Sequence, residues 1–417
     1  MPTRLAKALG PRYRWVVWAA LSLAAFNQLI QMFATASLLP SLLAELSLSY
    51  ALAGTFTSAY MLSLCAAMVP TGALGDRLGG RSLLIAGLVS MSVGSALFAV
   101  AQSYPVALIS RFFVGAGAAA ILVLPAPVLA FWFKKEQFRT VFGLHVSVGK
   151  TGSIVAMWVL PPLVVSLGWR LGYGVTSLVT PLALLAAFLF LVDEPRQVGL
   201  AEQGMAVSRQ AGKVRERPKG EPLAKVVRNP DILLLAGGEF LLFANYFGVV
   251  NWLPTFFKTV VGTGEVEAGF QTGFILWGTV IGFAASGPLA NLLGKCRPLF
   301  SAGTAATALL TLVFATGSLP ALPAWTWPPI MFTYGLCLSV MVLIQPILAT
   351  LVPVRSLGTA NGFVFMVSYM GAMISPPVMG AVADATGSLT ACFWVAVVCA
   401  AASFVTSLFI REGTARA

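Results

Sequence analysis

The chain has 417 residues, of which 58% are hydrophobic and 10% charged, with a mean hydropathy of +0.88. A water-soluble globule carries roughly 25% charged residues, so this composition excludes one and points to lipid as the solvent. The net charge of +12 raises nucleic acid as a partner, but the basic residues gather in loops between apolar runs, a pattern that reports membrane topology.

A bilayer core is about 30 Å thick and needs about 20 mainly apolar residues per helical crossing. Apolar runs predict spans at 15–38, 48–72, 81–101, 105–132, 140–165, 170–192, 231–257, 268–292, 298–316, 326–350, 356–381 and 388–410. Arg4, Lys7, Arg12 and Arg14 precede the first run, which is too long for a signal core and has no small-residue cleavage site; it is expected to stay as the first helix. With twelve spans, Arg170 and Lys258 fall in external loops, Arg111 and Lys150 fall within spans, and the other basic residues face the cytoplasm. Both termini are therefore expected in the cytoplasm, with the protein in the inner (plasma) membrane.

Residues 193–230 mix Arg196, Arg209, Lys213, Arg215, Arg217, Lys219, Lys225 and Arg228 with Asp193, Glu194, Glu202, Glu216 and Glu221. Such a charge-dense, aromatic-free stretch cannot bury a core and reads as a cytoplasmic linker between a six-span bundle at 1–192 and another at 231–417. The halves carry matching signals. Gly72 to Gly79 after span two resembles Gly287 to Gly294 after span eight, and Gly143 and Gly152 have the spacing of Gly362 and Gly371. Parallel repeats of this kind place a binding site at their interface near the membrane midplane. The five cysteines lie on separate spans or span ends, so neither a disulfide framework nor a metal site is expected. No cofactor is implied.

The segment Gly72-Ala-Leu-Gly-Asp76-Arg77-Leu-Gly79-Gly80-Arg81 between spans two and three resembles the first loop signature of the major facilitator superfamily, and Arg111-Phe-Phe-Val-Gly115-Ala-Gly117 resembles that family's arginine–glycine signature in span four. The resemblance covers essentially the whole chain. It implies an all-α membrane protein of twelve transmembrane helices in two pseudo-symmetric six-helix bundles, working by alternating access. It also implies gating by Gly72, Asp76, Arg77, Gly79 and Arg81, and a cavity lined by spans one, four, seven and ten. Span five departs from the family's antiporter signature, since Lys150 stands where glycine-proline would place its proline. Gly149-Lys150-Thr151 is not a phosphate loop, because Leu144 occupies the earlier glycine position and no strand precedes it.

The intramembrane charges are the candidate functional groups. Lys150 lies roughly 15 Å into its span, where an ammonium must pair, deprotonate or face water; it is a candidate ligand for an anion or a helix–helix partner. His145 is the only histidine in the chain and is a candidate proton relay or a packed residue. Glu239, about 12 Å into span seven, is a candidate proton carrier or a salt-bridge member. Arg111 either faces the bundle interior as part of the coupling machinery or snorkels to the interface. Asn27 and Gln31 in span one, Asn245 and Tyr246 in span seven, and Tyr334 and Gln345 in span ten are candidate solute-orienting groups or helix–helix hydrogen bonders.

These features predict a monomeric secondary carrier for a small organic or inorganic anion, carboxylate-like, with protons as the candidate coupling ion. The alternative is an exporter of drugs or amphipathic metabolites by proton antiport, with a non-transporting solute sensor behind it. A channel would need rings of charge or carbonyls along a pore. An enzyme would need a clustered nucleophile and base or a metal set, which one histidine and one clear intramembrane carboxylate do not supply.

Overall fold

A computed structural model describes residues 2–200, 228–352 and 357–410; most of the expected linker therefore lies outside the described residues. Among these residues the chain is nearly all helix. In the first half come α1 (Pro2–Leu9), α2 (Tyr13–Leu46), α3 (Tyr50–Leu78), α4 (Gly80–Ala99), α5 (Tyr104–Val123), α6 (Pro125–Trp132), α7 (Lys135–Trp158), α8 (Leu160–Ser177) and α9 (Val179–Phe190). In the second come α10 (Pro230–Phe256), α11 (Glu265–Leu293), α12 (Arg297–Ala315), α13 (Trp327–Leu338), α14 (Ile344–Leu351), α15 (Leu357–Thr386) and α16 (Leu389–Phe409).

Prolines place several of these boundaries. α5, α6, α8, α10, α12 and α13 each carry proline in the first turn, where the missing N–H has no intrahelical acceptor to lose. Eleven helical runs among the described residues are long and apolar enough to cross a membrane. The helix α7 is less apolar because it carries Arg139, His145 and Lys150, and with it the crossings number twelve. The turn between the fifth and sixth crossings falls inside α8 at Gly168, whose φ of +78° suits glycine alone.

The helices cluster into two units. One takes the chain up to Thr35 and from Ala59 to the linker; the other takes Ala36–Ser58 and the chain after the linker. Residues 36–58, which the sequence division assigns to the first bundle, thus group with the second. Within the first unit α4 packs along α5 and α9; within the second α10 packs on α15 and α16, α11 on α13, and α12 on α16.

Candidate functional site

The internal repeat appears at atomic detail. A Cβ on Gly152 of α7 would run into the Phe26 carbonyl of α2, 3.0 Å from its carbon and 3.2 Å from Ile30 N; a Cβ on Gly371 of α15 would meet Phe240 of α10 and Ala244 N at the same two distances. Each glycine lets two helix backbones touch. Phe26 therefore corresponds to Phe240, and α7 to α15. The loop signatures agree, since Gly79 and Gly294 both take left-handed φ, +84° and +68°.

Five residues beyond the matched phenylalanines stand Gln31 and Asn245, each completely buried and each the centre of a hydrogen-bond network inside its own bundle. Gln31 Oε1 accepts from Tyr173 Oη at 2.5 Å, and its amide donates to Ser177 and Thr180 at 3.2 and 3.1 Å. Thr180 donates on to Asn27 at 2.8 Å. Asn245 accepts from Tyr334 Oη at 2.6 Å and donates to Thr311 and the Ala396 carbonyl at 3.1 and 3.0 Å. One polar side chain per half thus ties the first helix of its bundle to neighbours across the core, where an unmade bond has no water to replace it.

The charges break the symmetry. Arg111 is fully buried and points into the first bundle, donating Nη2 to the Gln31 carbonyl at 2.7 Å with its guanidinium over the rings of Tyr60 and Phe98 at 5.2 and 5.6 Å. Its Nε and Nη1 have no hydrogen-bond partner among the described residues. Lys150 stands two residues before Gly152; the matching place before Gly371 is Tyr369. On α7, His145, Gly149 and Gly152 face α2, with His145 Nδ1 3.2 Å from Ser22 Oγ and a Gly149 Cβ 3.2 Å from Ala25. Lys150 lies well around the helix from that contact and is half-buried. In the second half Glu239 precedes Phe240, where the first half has Ala25. Its side chain is 2% exposed and its Oε2 has no partner among the described residues. Tyr246, two turns on, is buried, whereas Gln345 of α14 is half-buried.

At the α3–α4 turn, Gly79 and Gly80 let the Asp193 carboxylate come within 2.6 Å of the Arg81 backbone N–H, while Arg81 Nη2 donates to the Phe188 carbonyl at 2.9 Å. A side chain on Gly79 would collide with that carboxylate. Burial pushes the Asp193 carboxyl above its ordinary value, and the Arg81 N–H pulls it back. Gly72 packs on Val123 at the foot of α5. The side chains of Asp76 and Arg77 lie outside the described residues.

The family model described as Major Facilitator Superfamily matches residues 21–344, spanning both halves. The chain belongs to the major facilitator superfamily. Among curated relatives, the cis,cis-muconate transport protein of Acinetobacter baylyi is 26% identical over 90% of this chain and 89% of its own length. The probable nitrate/nitrite transporter NarK2 of Mycobacterium tuberculosis is 29% identical over 82% of this chain and 85% of its own. Among solved structures, a bacterial homologue of the human lysosomal transporter Spinster, in an inward-facing and unoccupied conformation, superimposes with a TM-score of 0.77 at 16% identity, covering 97% of this chain and 99% of that one. As a member of this superfamily the protein is a membrane transporter for a small molecule and not an enzyme.

The networks bring together Asn27, Gln31 and Arg111 in the first bundle and Asn245 and Tyr334 in the second. Their partners Tyr173, Ser177, Thr180 and Thr311 carry no sequence signal, since hydroxyls in apolar helices are common and only packing selects the ones that meet. In sequence Asp193 is one linker charge among many. Tyr369 carries no local signal; it is found only by aligning the repeats through Gly152 and Gly371.

Proposed function

We propose that this major facilitator transporter moves a small organic anion of the carboxylate class, with protons as the coupling ion, across the inner membrane. The observation that carries the reading is Lys150, an ammonium held mid-helix on α7, well around the helix from the residues that pack on α2. Such a charge is retained inside a membrane when it serves an ion or solute. Named relatives whose solutes are anions, muconate and nitrate or nitrite, support the same class.

In this reading Lys150, in the first unit, receives the carboxylate. Taken by itself, the second unit offers Tyr246, Gln345 and Tyr369, the repeat counterpart of Lys150, as neutral groups able to donate to a solute. Asn27, Gln31, Asn245 and Tyr334 act mainly by fixing the helices, because they hydrogen-bond within their own bundles, although the buried Asn27 amide nitrogen has no partner among the described residues. Glu239 is the proton carrier: it is enclosed, and one of its carboxylate oxygens has no hydrogen-bond partner among the described residues, as suits an intramembrane group kept for proton transfer. Arg111 and His145 serve the same coupling from the first half, and the Gly72–Arg81 turn with Asp193 serves as the gate on the linker side. The basic residues of that side support a cytoplasmic position for it.

The test is thermal stabilisation of the purified protein by mono- and dicarboxylates, inorganic anions and cationic amphiphiles, repeated with Lys150→Ala. A carboxylate that stabilises the wild type and not the variant is the expected result. Stabilisation by cationic amphiphiles alone, unchanged in Lys150→Ala, overturns the reading in favour of an exporter.

A further inference from the structure

The helices α2 and α3 each pass from one unit to the other, and residues 36–58, their ends flanking the 47–49 turn, are held on the second unit by contacts with a common design. Asp384, near the end of α15, accepts from the first two backbone N–H groups of α3: Oδ1 from Tyr50 at 2.9 Å and Oδ2 from Ala51 at 2.8 Å. These donors have no intrahelical acceptor, and the positive end of the helix dipole favours the carboxylate. Asp384 therefore caps a helix 333 residues away in sequence.

The backbones beneath this cap touch. A Cβ on Gly54 would lie 2.6 Å from the Pro376 carbonyl carbon, and one on Gly380 would lie 2.8 Å from Ala51 N. Pro377 has no N–H to give to the carbonyl four residues back, Met373; the hydroxyl of Ser58 donates to that carbonyl at 2.5 Å. Trp252 Nε1 donates to the Pro376 carbonyl at 2.9 Å, its ring meets Tyr50 edge-on at 5.5 Å, and Thr57 donates to Asn251 at 2.7 Å. At the far end of the segment Ser41 donates to Glu265, which also pairs with Lys258. Pro377 thus leaves the Met373 carbonyl open to Ser58, the two glycines bring the backbones within reach, and Asp384 closes the row with charge.

We propose that Asp384 is a gating residue of the transport cycle, a latch that holds residues 36–58 on the second unit and sets how often that end of the molecule opens. The seam sets directional polar contacts and close glycine approaches among buried apolar side chains such as Leu38, Leu42 and Phe56, so it closes with defined register. Alternating access requires each end to open once per cycle, and a capping carboxylate that is exposed and screened sets a modest, reversible barrier. The latch does not depend on which solute is carried.

The test uses the full chain with its five native cysteines replaced and Ala53→Cys introduced, a site that is completely buried beside the seam. The rate of alkylation of that cysteine by a maleimide reports the open fraction. Asp384→Ala is expected to raise the rate about 3- to 10-fold, the range that loss of a helix cap corresponds to as a population shift. Ser58→Ala, which removes only the hydroxyl on the Met373 carbonyl, is expected to raise it in the same direction, by less. Size-exclusion profiles identify folded protein, and if Asp384→Ala does not fold, Ser58→Ala carries the test. An alkylation rate unchanged or lowered in the folded variants overturns the proposal, and a fall in thermal stability without a change in rate overturns it equally.

Discussion

Two pairs of glycines with the same spacing sit in entirely different surroundings, and alanine substitution should separate them by sign. Beyond their own helix backbone, Gly143 and Gly362 have no atom among the described residues within 4 Å of where a Cβ would stand, whereas a Cβ on Gly152 or Gly371 would fall on the carbonyl of Phe26 or Phe240. In the open pair alanine gains up to about 1 kcal/mol of helix propensity. In the closed pair the same gain is opposed by overpacking of about 1–3 kcal/mol, at the upper end because the obstruction is backbone and no rotamer change relieves it. The net is a loss of roughly 1–2 kcal/mol. Thermal unfolding in detergent at one fixed scan rate should show Gly143→Ala and Gly362→Ala at or slightly above wild type and Gly152→Ala and Gly371→Ala lower by about 1–2 °C. Because the two closed sites are equivalent in geometry, their shifts should agree. If both pairs behave alike, or if Gly152→Ala and Gly371→Ala move in opposite directions, the repeat alignment and the readings built on it are wrong.

Asn245→Leu leaves the Tyr334 hydroxyl, the Thr311 hydroxyl and the Ala396 carbonyl short of a partner, and should destabilise the protein by about 1–3 kcal/mol, towards the lower value where lipid-embedded bonds are individually weak. Adding Tyr334→Phe should recover part of that loss in the same unfolding assay, because the orphaned hydroxyl goes with it. For Glu239→Gln, proteoliposomes should retain solute exchange at equilibrium while losing accumulation driven by a pH gradient by more than about 10-fold, the loss expected of a buried group that carries the proton; unimpaired gradient-driven uptake would remove Glu239 from the coupling.

Much of the molecule was legible in the order of residues. Lipid admits only helices with internally satisfied backbones, so apolar run length translates directly into crossings, and the prolines that open α5, α10 and α12 mark their starts. Gly152 and Gly371 announced the duplication by spacing alone. The charges Arg111, Lys150 and Glu239 stood out for the same reason, since an ionisable group in an apolar run is costly enough to need a purpose. What spacing could not supply is partner and face. Gln31 and Asn27 share a face of α2, but only the packing of α8 and α9 against it brings Tyr173, Ser177 and Thr180 to meet them.

The assignment of residues 36–58 is the clearest case of this limit. Chain order attaches them to the first bundle, and every local signal there is that of an ordinary span end. Their place in the second unit follows from contacts with Asn251, Met373 and Asp384, each nearly 200 residues away or more. The sequence by itself determined the solvent, the crossings and the repeat, because those depend on the cost of placing each residue in lipid. Which polar groups are spent on one another and which remain for solute, proton or gate was decided only by tertiary structure, because a hydrogen bond needs two partners at once and the fold alone chooses the second.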